Sequence, residues 1–184
     1  REHGRWHQSG RIVVTVSDRL NLGTPLDNGQ AAILCGGLGK RLRPLTDTVP
    51  KPMVDVNGAP FLAHLVQQLV SQGVTRLVLM TGYLGDQIRD HFGNGKRYNC
   101  DIIYSHGPEC WSTGRRLVEA RSLFDERLFL LYADNFGLVD LQQLLAFHLR
   151  EDPSITLTLA PKGDGNVGRF HDGRVGWYDP DRSS

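Results

Sequence analysis

The sequence predicts an α/β protein with three layers, α/β/α, in which helices cover both faces of a mostly parallel sheet and an antiparallel hairpin lies at the sheet edge. Three observations carry that expectation. From residue 31 to residue 159, short apolar runs of strand length alternate with segments whose apolar residues recur at helical spacing. Gly36-Gly37-Leu38-Gly39 follows directly on the first apolar run, at the carboxyl end of a strand, where open α/β sheets receive their ligands. Near the end of the chain, Asp172-Gly173 precedes the apolar run 175–178, the pattern that opens an antiparallel hairpin.

Taken in order, residues 11–16 have the β-branched composition of a strand. Residues 1–30 are expected to be a leader or the tail of an upstream module, with the domain proper over 31–184 and incomplete at its C-terminus. Residues 31–35 form the first buried strand. Residues 60–72 read as a helix with Phe61, Leu62, Leu65, Val66 and Leu69 on one face, Pro60 in the first turn and Gly73 as the C-terminal cap. A second buried strand follows at 77–80, a short helix at 86–92 ended by Gly93, and a third strand at 101–104. The alternation continues with a helix over 113–124, a strand over 128–132, a helix over 138–150 with Leu141, Leu144, Leu145 and Leu149 inward, and a strand over 155–159. Such βαβα order implies a mostly parallel sheet.

Composition narrows the function. The 184 residues, 40% of them hydrophobic, suffice for one ordinary core. A formal net charge of +1 with basic and acidic residues interspersed argues against a surface that tracks nucleic acid, so any anion must be bound locally. No apolar run has the length of a membrane span and no signal-peptide core is present near residue 1. Cys35, Cys100 and Cys110 lack metal-ligand spacing and suit reduced thiols, which makes a cytoplasmic location the expectation. The histidines, among them His64, His91, His106, His148 and His171, show neither ligand spacing nor a nucleophile partner.

The segment from Gly36 to Thr46, followed by Pro50-Lys51-Pro52-Met53, combines a glycine loop with cations at fixed spacing. Glycines let backbone N–H groups approach phosphate oxygens closely. Two familiar glycine motifs fail here at identifiable residues. A P-loop needs Ser or Thr after Gly-Lys, and Gly39-Lys40 is followed by Arg41. The dinucleotide fingerprint needs a third glycine where Leu42 stands, and Pro44 forbids an immediate helix. Arg41, a planar fork of donors, suits the β- and γ-phosphates of a triphosphate. Lys51, pinned between two prolines, suits the α-phosphate and an incoming phosphate. Lys40 and Arg43 are further cations of the loop. Asp134, at the end of the strand 128–132, is placed to ligate Mg²⁺, which accepts one or two carboxylates with phosphate oxygens and water; an Asp-Asn pair after a strand is equally an ordinary turn.

Together these residues resemble the sugar-1-phosphate nucleotidyltransferase family, whose signature runs GG-x-G-x-R-L-x-P-L-T and then P-K-P-M. The turn Val56-Asn57-Gly58-Ala59-Pro60, Thr81-Gly82-Tyr83-Leu84 and Leu130-Leu131-Tyr132-Ala133-Asp134-Asn135 resemble the branch that handles heptose and hexose 1-phosphates, such as glucose-1-phosphate thymidylyltransferases and heptose- or mannose-1-phosphate guanylyltransferases. The resemblance covers residues 31 to 180 and implies a Rossmann-like, GT-A-like sheet. It implies nucleotidyl transfer from a nucleoside triphosphate to a sugar 1-phosphate, with Arg41, Lys51 and Asp134 catalytic and Asp134 the ligand of Mg²⁺. Leu34, Gly36, Gly37, Gly39, Lys40, Gly82, Glu109, Thr113 and Gly114 are the implied nucleotide contacts. The partners implied are the two substrates, without nucleic acid or membrane, and a homo-oligomer is compatible with the reading.

Two departures bear on activity. Ser112 stands where the family has a glycine, and Arg115-Arg116 replace a small pair, usually Gly-Ala, beside the nucleotide. Bulk and charge there would narrow the base pocket or add phosphate contacts; alternatively both arginines are solvated first-turn residues. The family's second metal carboxylate lies on a strand beyond residue 178, past the end of this chain, so the resemblance implies the nucleotide half of a site. The competing reading is a non-catalytic relative that binds a nucleotide or nucleotide sugar.

Overall fold

A computed structural model describes residues 12–15, 28–159, 167–171 and 174–178. The turn Asp172-Gly173 and the remainder of residues 1–27 lie outside the described residues. In chain order the elements are β1 (Ile12–Thr15), β2 (Gly29–Cys35), β3 (Asp55–Val56), β4 (Ala59–Pro60), α1 (Phe61–Ser71), β5 (Val74–Thr81) and α2 (Gly85–Phe92). There follow β6 (Asp101–His106), α3 (Thr113–Ala120), β7 (Phe129–Tyr132), α4 (Leu141–Glu151), β8 (Ile155–Thr158), β9 (Val167–His171) and β10 (Arg174–Tyr178). These fall into two compact units, one within Pro25–Gly137 and one that joins β1 to the residues from Leu138 onward.

The first unit has the predicted three-layer α/β/α form. Its sheet has the order β6-β5-β2-β7, and every pairing is parallel. Parallel strands need crossover connections, which α1, α2 and α3 supply. Ala32, Leu34, Val78 and Met80 pack on one face against Ala120 of α3, with Leu117, Leu123, Phe124 and Leu128 around them. The alternating residues Ala31, Ile33, Leu77 and Leu79 are fully buried on the opposite face, where α1 contributes Leu62, Leu65, Val66 and Leu69 and α2 contributes Ile88 and Phe92. Each of the large aliphatic side chains contributes about 1.5–3 kcal/mol by leaving water. The buried amide of Gln30 donates to Leu123 O (3.0 Å) and accepts from Asp125 N (2.8 Å), closing the α3–β7 connection without orphaned polar groups.

The helix predicted over 113–124 is α-helical only to Ala120 and finishes as a 3₁₀ turn, Arg121–Leu123. The short hairpin β3–β4 turns on Asn57 and Gly58, both at positive φ, the conformation that Asn-Gly turns supply cheaply.

In the second unit, β1 lies between β8, to which it is parallel, and β10, to which it is antiparallel; β9 completes the order β8-β1-β10-β9. The hairpin predicted around residues 175–178 forms as β9–β10, at the edge of this second sheet and not of the parallel one. The strand near residue 155, read from sequence as a continuation of the first sheet, pairs instead with β1, a partner more than a hundred residues away. Helix α4 starts on Asp140, whose carboxylate accepts from Gln143 N at 2.9 Å. Leu141 is buried and Leu144 and Leu145 are half-buried, but Leu149, predicted inward, is 54% exposed. Among the described residues no helix is long and apolar enough to cross a membrane.

Candidate active site

The register of the parallel sheet gathers the predicted residues along one carboxyl edge. Cys35 pairs with Thr81, Thr81 with His106, and Leu34 with Tyr132. Gly36, Gly82, Gly107 and Ala133 therefore begin four adjacent strand-end loops. Ala133 N donates to Leu34 O (3.1 Å), which extends the β2–β7 pairing by one residue and delivers Asp134 beside the glycine loop. Asn135 N donates to Tyr132 O (3.3 Å), so Asp134 also sits in a tight turn.

Gly39 adopts φ +62°, and a Cβ there would lie 3.0 Å from Thr46 Cγ2 and 3.1 Å from Lys51 Cβ. Both the conformation and the close approach demand glycine. Thr46, fully buried, donates its hydroxyl to Gly39 O at 2.9 Å, so the loop is clamped from beneath. Tyr83 Oη donates to Asp47 O and Gln87 Nε2 to Thr48 O, both at 2.9 Å, tying the far side of the loop to the start of α2. Gly37 and Lys40 are exposed, and Leu34 and Gly36 are buried.

The four cations of this segment divide into two kinds. Arg43 pairs with Asp47 at 3.1 Å across one turn, and Lys51 pairs with Asp134 at 2.7 Å. Lys40 and Arg41 are exposed on the 3₁₀ turn Lys40–Leu42 and make no ion pair among the described residues. Lys51 and Asp134, 83 positions apart, are thus brought into contact. Lys51 reaches Asp134 because Pro50 and the buried Pro52 fix the 3₁₀ turn Lys51–Met53, with Met53 N donating to Pro50 O at 2.7 Å.

Only Oδ2 of Asp134 is engaged by Lys51 among the described residues. No group of three or more His, Cys, Asp or Glu side chains able to hold a metal occurs among the described residues. A single carboxylate fits a divalent cation whose other ligands are phosphate oxygens and water.

The segment 107–116 forms the other wall. Ser112 caps α3, its hydroxyl accepting from Arg115 N at 3.3 Å; the residue that breaks the family pattern thus has a structural use. Glu109, Thr113 and Gly114 are exposed and Gly82 is buried. Gly107 leaves room for the ring of Trp111, which a Cβ would strike.

The two arginines that follow part company. Arg115 is exposed, pairs with Glu119 and holds its guanidinium 5.7 Å from the Trp111 ring centroid. Arg116 is 5% exposed, so the expectation of two solvated first-turn residues holds for Arg115 and is corrected for Arg116. Its Nη1 donates to Thr81 O (2.7 Å) and Gly107 O (3.4 Å), and its Nη2 donates to Pro108 O (2.7 Å) and Gly36 O (3.4 Å). Burial lowers its pKa, yet a guanidinium stays charged in proteins. No carboxylate pairs with it among the described residues. The helical spacing of α3 could have signalled this, because Arg116 shares an apolar-facing position with Ala120.

Thr46 was legible only as the last letter of the signature. Burial pushes the Cys35 thiol up in pKa and pushes that of Cys100 up to about 11, with Asp101 adding to the second; Cys110 is exposed. His106 is occupied with Thr81 Oγ1 at 3.1 Å and His91 with Tyr98 and Arg97, in keeping with packing roles.

Comparison with known proteins agrees with this geometry. The sequence profile described as nucleotidyl transferase matches residues 30–171. The D-glycero-alpha-D-manno-heptose 1-phosphate guanylyltransferase of Aneurinibacillus thermoaerophilus is 36% identical over 133 residues, which are 72% of this chain and 57% of that protein. The mannose-1-phosphate guanylyltransferase of Mycobacterium tuberculosis is 35% identical over 73% of this chain and 38% of its own length. Among solved structures, HddC from Yersinia pseudotuberculosis, one of whose crystal structures is a complex with GMP-PN, superposes with a TM-score of 0.59 at 31% identity, over 66% of this chain and 54% of HddC. The chain spans about half the length of the relatives it matches.

Proposed function

We propose a reaction for this chain, which belongs to the nucleotidyl transferase family: transfer of a nucleotidyl group from a nucleoside triphosphate to a hexose or heptose 1-phosphate, with release of pyrophosphate. The observation that carries it is the 2.7 Å contact between Lys51 and Asp134 at the carboxyl edge of the sheet, beside the glycine loop. A lone cation or carboxylate there would be unremarkable. A cation and a carboxylate in contact, next to backbone donors and two cations without an ion pair among the described residues, suit a triphosphate and its metal.

An oxygen of the sugar phosphate attacks the α-phosphorus in line. The new O–P bond forms as the bond from the α-phosphorus to the bridging oxygen of the β-phosphate breaks, and pyrophosphate leaves with that electron pair. A phosphate monoester is already ionised at neutral pH, so the protein supplies orientation and charge rather than a base. Lys51 holds the α-phosphate and the incoming phosphate, and Arg41 forks onto the β- and γ-phosphates as charge accumulates there. Backbone and side chains of Leu34, Gly36, Gly37, Gly39, Lys40, Gly82, Glu109, Thr113 and Gly114 seat the nucleotide. Asp134 would hold Mg²⁺, which when bound neutralises phosphate charge. Three unbridged cysteines favour a reducing, cytoplasmic setting.

The test is a pyrophosphate-release assay of the purified protein with Mg²⁺ over panels of nucleoside triphosphates and sugar 1-phosphates. Release that requires one member of each panel is the expected result. Triphosphate binding without release for any sugar phosphate would favour the non-catalytic reading.

A further inference from the structure

The glycine loop is not self-supporting. Thr46 holds Gly39, but the first part of the loop, at Gly36, has its carbonyl turned toward Arg116. The same guanidinium takes the carbonyls of Thr81, Gly107 and Pro108. These four carbonyls belong to the ends of β2, β5 and β6, three adjacent strands of the sheet, so four of the five guanidinium hydrogens bridge all three. The space for this is made by glycines: a Cβ on Gly36 would sit 2.7 Å from Nε of Arg116, and one on Gly82 would sit 2.6 Å from Nη2. The two glycines therefore accommodate a protein side chain as well as flanking the site.

In a trans peptide the carbonyl and the following N–H point in opposite directions, and the bonds concerned are trans. Drawing Gly36 O and Pro108 O onto Arg116 turns the N–H groups of Gly37 and Glu109 the other way, and both residues are exposed. Arg116 is also a buried cation without a carboxylate among the described residues. A buried charge is ordinarily compensated; here the compensating groups are four backbone carbonyls, neutral dipoles that leave the positive charge of the guanidinium in place under the loop.

We infer that Arg116 is the positioning residue of the nucleotide site: it locks the ends of β2, β5 and β6 so that the N–H groups of Gly37 and Glu109 face an anionic nucleotide, over a buried positive charge. The choice of a nucleotide as ligand rests on the nucleotidyl-transfer reading; the backbone lock does not.

The experiment therefore reads both, in wild type, Arg116→Met and Arg116→Lys. Amide hydrogen exchange of the free protein reports on segments 33–38, 80–85 and 105–111, and calorimetry reports binding of the magnesium complexes of the four ribonucleoside triphosphates. Arg116→Met is expected to raise exchange in all three segments together while leaving α1 unchanged, and to weaken binding by at least about tenfold, as for loss of hydrogen bonds to a charged group. Arg116→Lys, which keeps the charge and part of the bonding, is expected to fall between. Exchange that rises only within α3, or wild-type affinity in folded Arg116→Met, overturns the proposal. Should Arg116→Met not fold, wild-type exchange and affinity in Arg116→Lys would overturn it equally. If the three segments loosen together but the wild-type protein binds no triphosphate, the lock is supported and the nucleotidyl-transfer reading fails instead.

Discussion

The two walls of the site use the same kind of residue in opposite ways. Along the phosphate loop, Lys40 and Arg41 stand exposed on a short 3₁₀ turn, and the loop is clamped by a small buried hydroxyl, that of Thr46. Across the sheet edge, segment 107–116 presents Glu109, Thr113 and Gly114 outward and draws Arg116 inward, where it serves as the clamp. A cation in water is available to a ligand and contributes little to the fold. A cation whose donors are consumed by carbonyls organises backbone and reaches a ligand only through what it positions. Identical side chains thus acquire different functions from burial alone.

That contrast can be broken most directly at Lys51. We expect Lys51→Ala to lower turnover by about 10²–10³, about 2.7–4 kcal/mol in the barrier, while the melting temperature stays close to wild type because an exposed ion pair is worth at most about 1 kcal/mol. Near-wild-type pyrophosphate release by the folded variant would remove Lys51 from the chemistry.

Thiol chemistry sharpens the comparison from the other side. Cys110 lies on the outer face of segment 107–116, whereas Cys35 and Cys100 are buried. With the Cys100 pKa near 11 against an ordinary 9.0, its thiolate population at neutral pH is lower by about a hundredfold. Native protein should therefore release one equivalent of chromophore from a disulfide reagent at a rate well above the other two, and saturating triphosphate should slow that equivalent. Equal rates for all three would show that Cys35 and Cys100 are not shielded as their burial implies.

A smaller effect is expected at Gly39→Ala. Left-handed backbone costs a non-glycine residue about 1–2 kcal/mol, and the new methyl would press on Thr46 and Lys51. Denaturant unfolding should show that loss, with weaker triphosphate binding. Unchanged stability would mean that the loop adopts another path at no cost.

The smallest change is expected at Arg115→Ala. Its pair with Glu119 is exposed, so the variant should lie within about 1 kcal/mol of wild type in stability and should bind triphosphate normally. A large loss of binding at Arg115 would erase the distinction between the exposed and buried arginines.

Much of this was legible from residues in a row. The order and type of the strands and helices around the site followed from periodicity because each element buries a local face, as Leu62, Leu65, Val66 and Leu69 of α1 do. The signature placed glycines at a strand end and cations after them, since loop conformation and charge spacing are properties of neighbouring residues. Gly39 at positive φ is the clearest case. Leu149 escaped because helical spacing identifies a face but not how wide the packed part of that face is.

What the sequence by itself determined, then, was the inventory: an α/β order, a glycine loop at a strand end, and the cations and carboxylate suited to a triphosphate. Tertiary structure alone decided their pairings. Lys51 meets Asp134 across 83 positions because β2 and β7 lie side by side, β1 pairs with β8 and β10 from the far end of the chain, and Arg116 turns inward because three strand ends offer it carbonyls. The physical reason is the same in each case: local sequence sets the conformation of a segment, whereas a charge is exposed, paired or buried according to which distant backbone the fold brings against it.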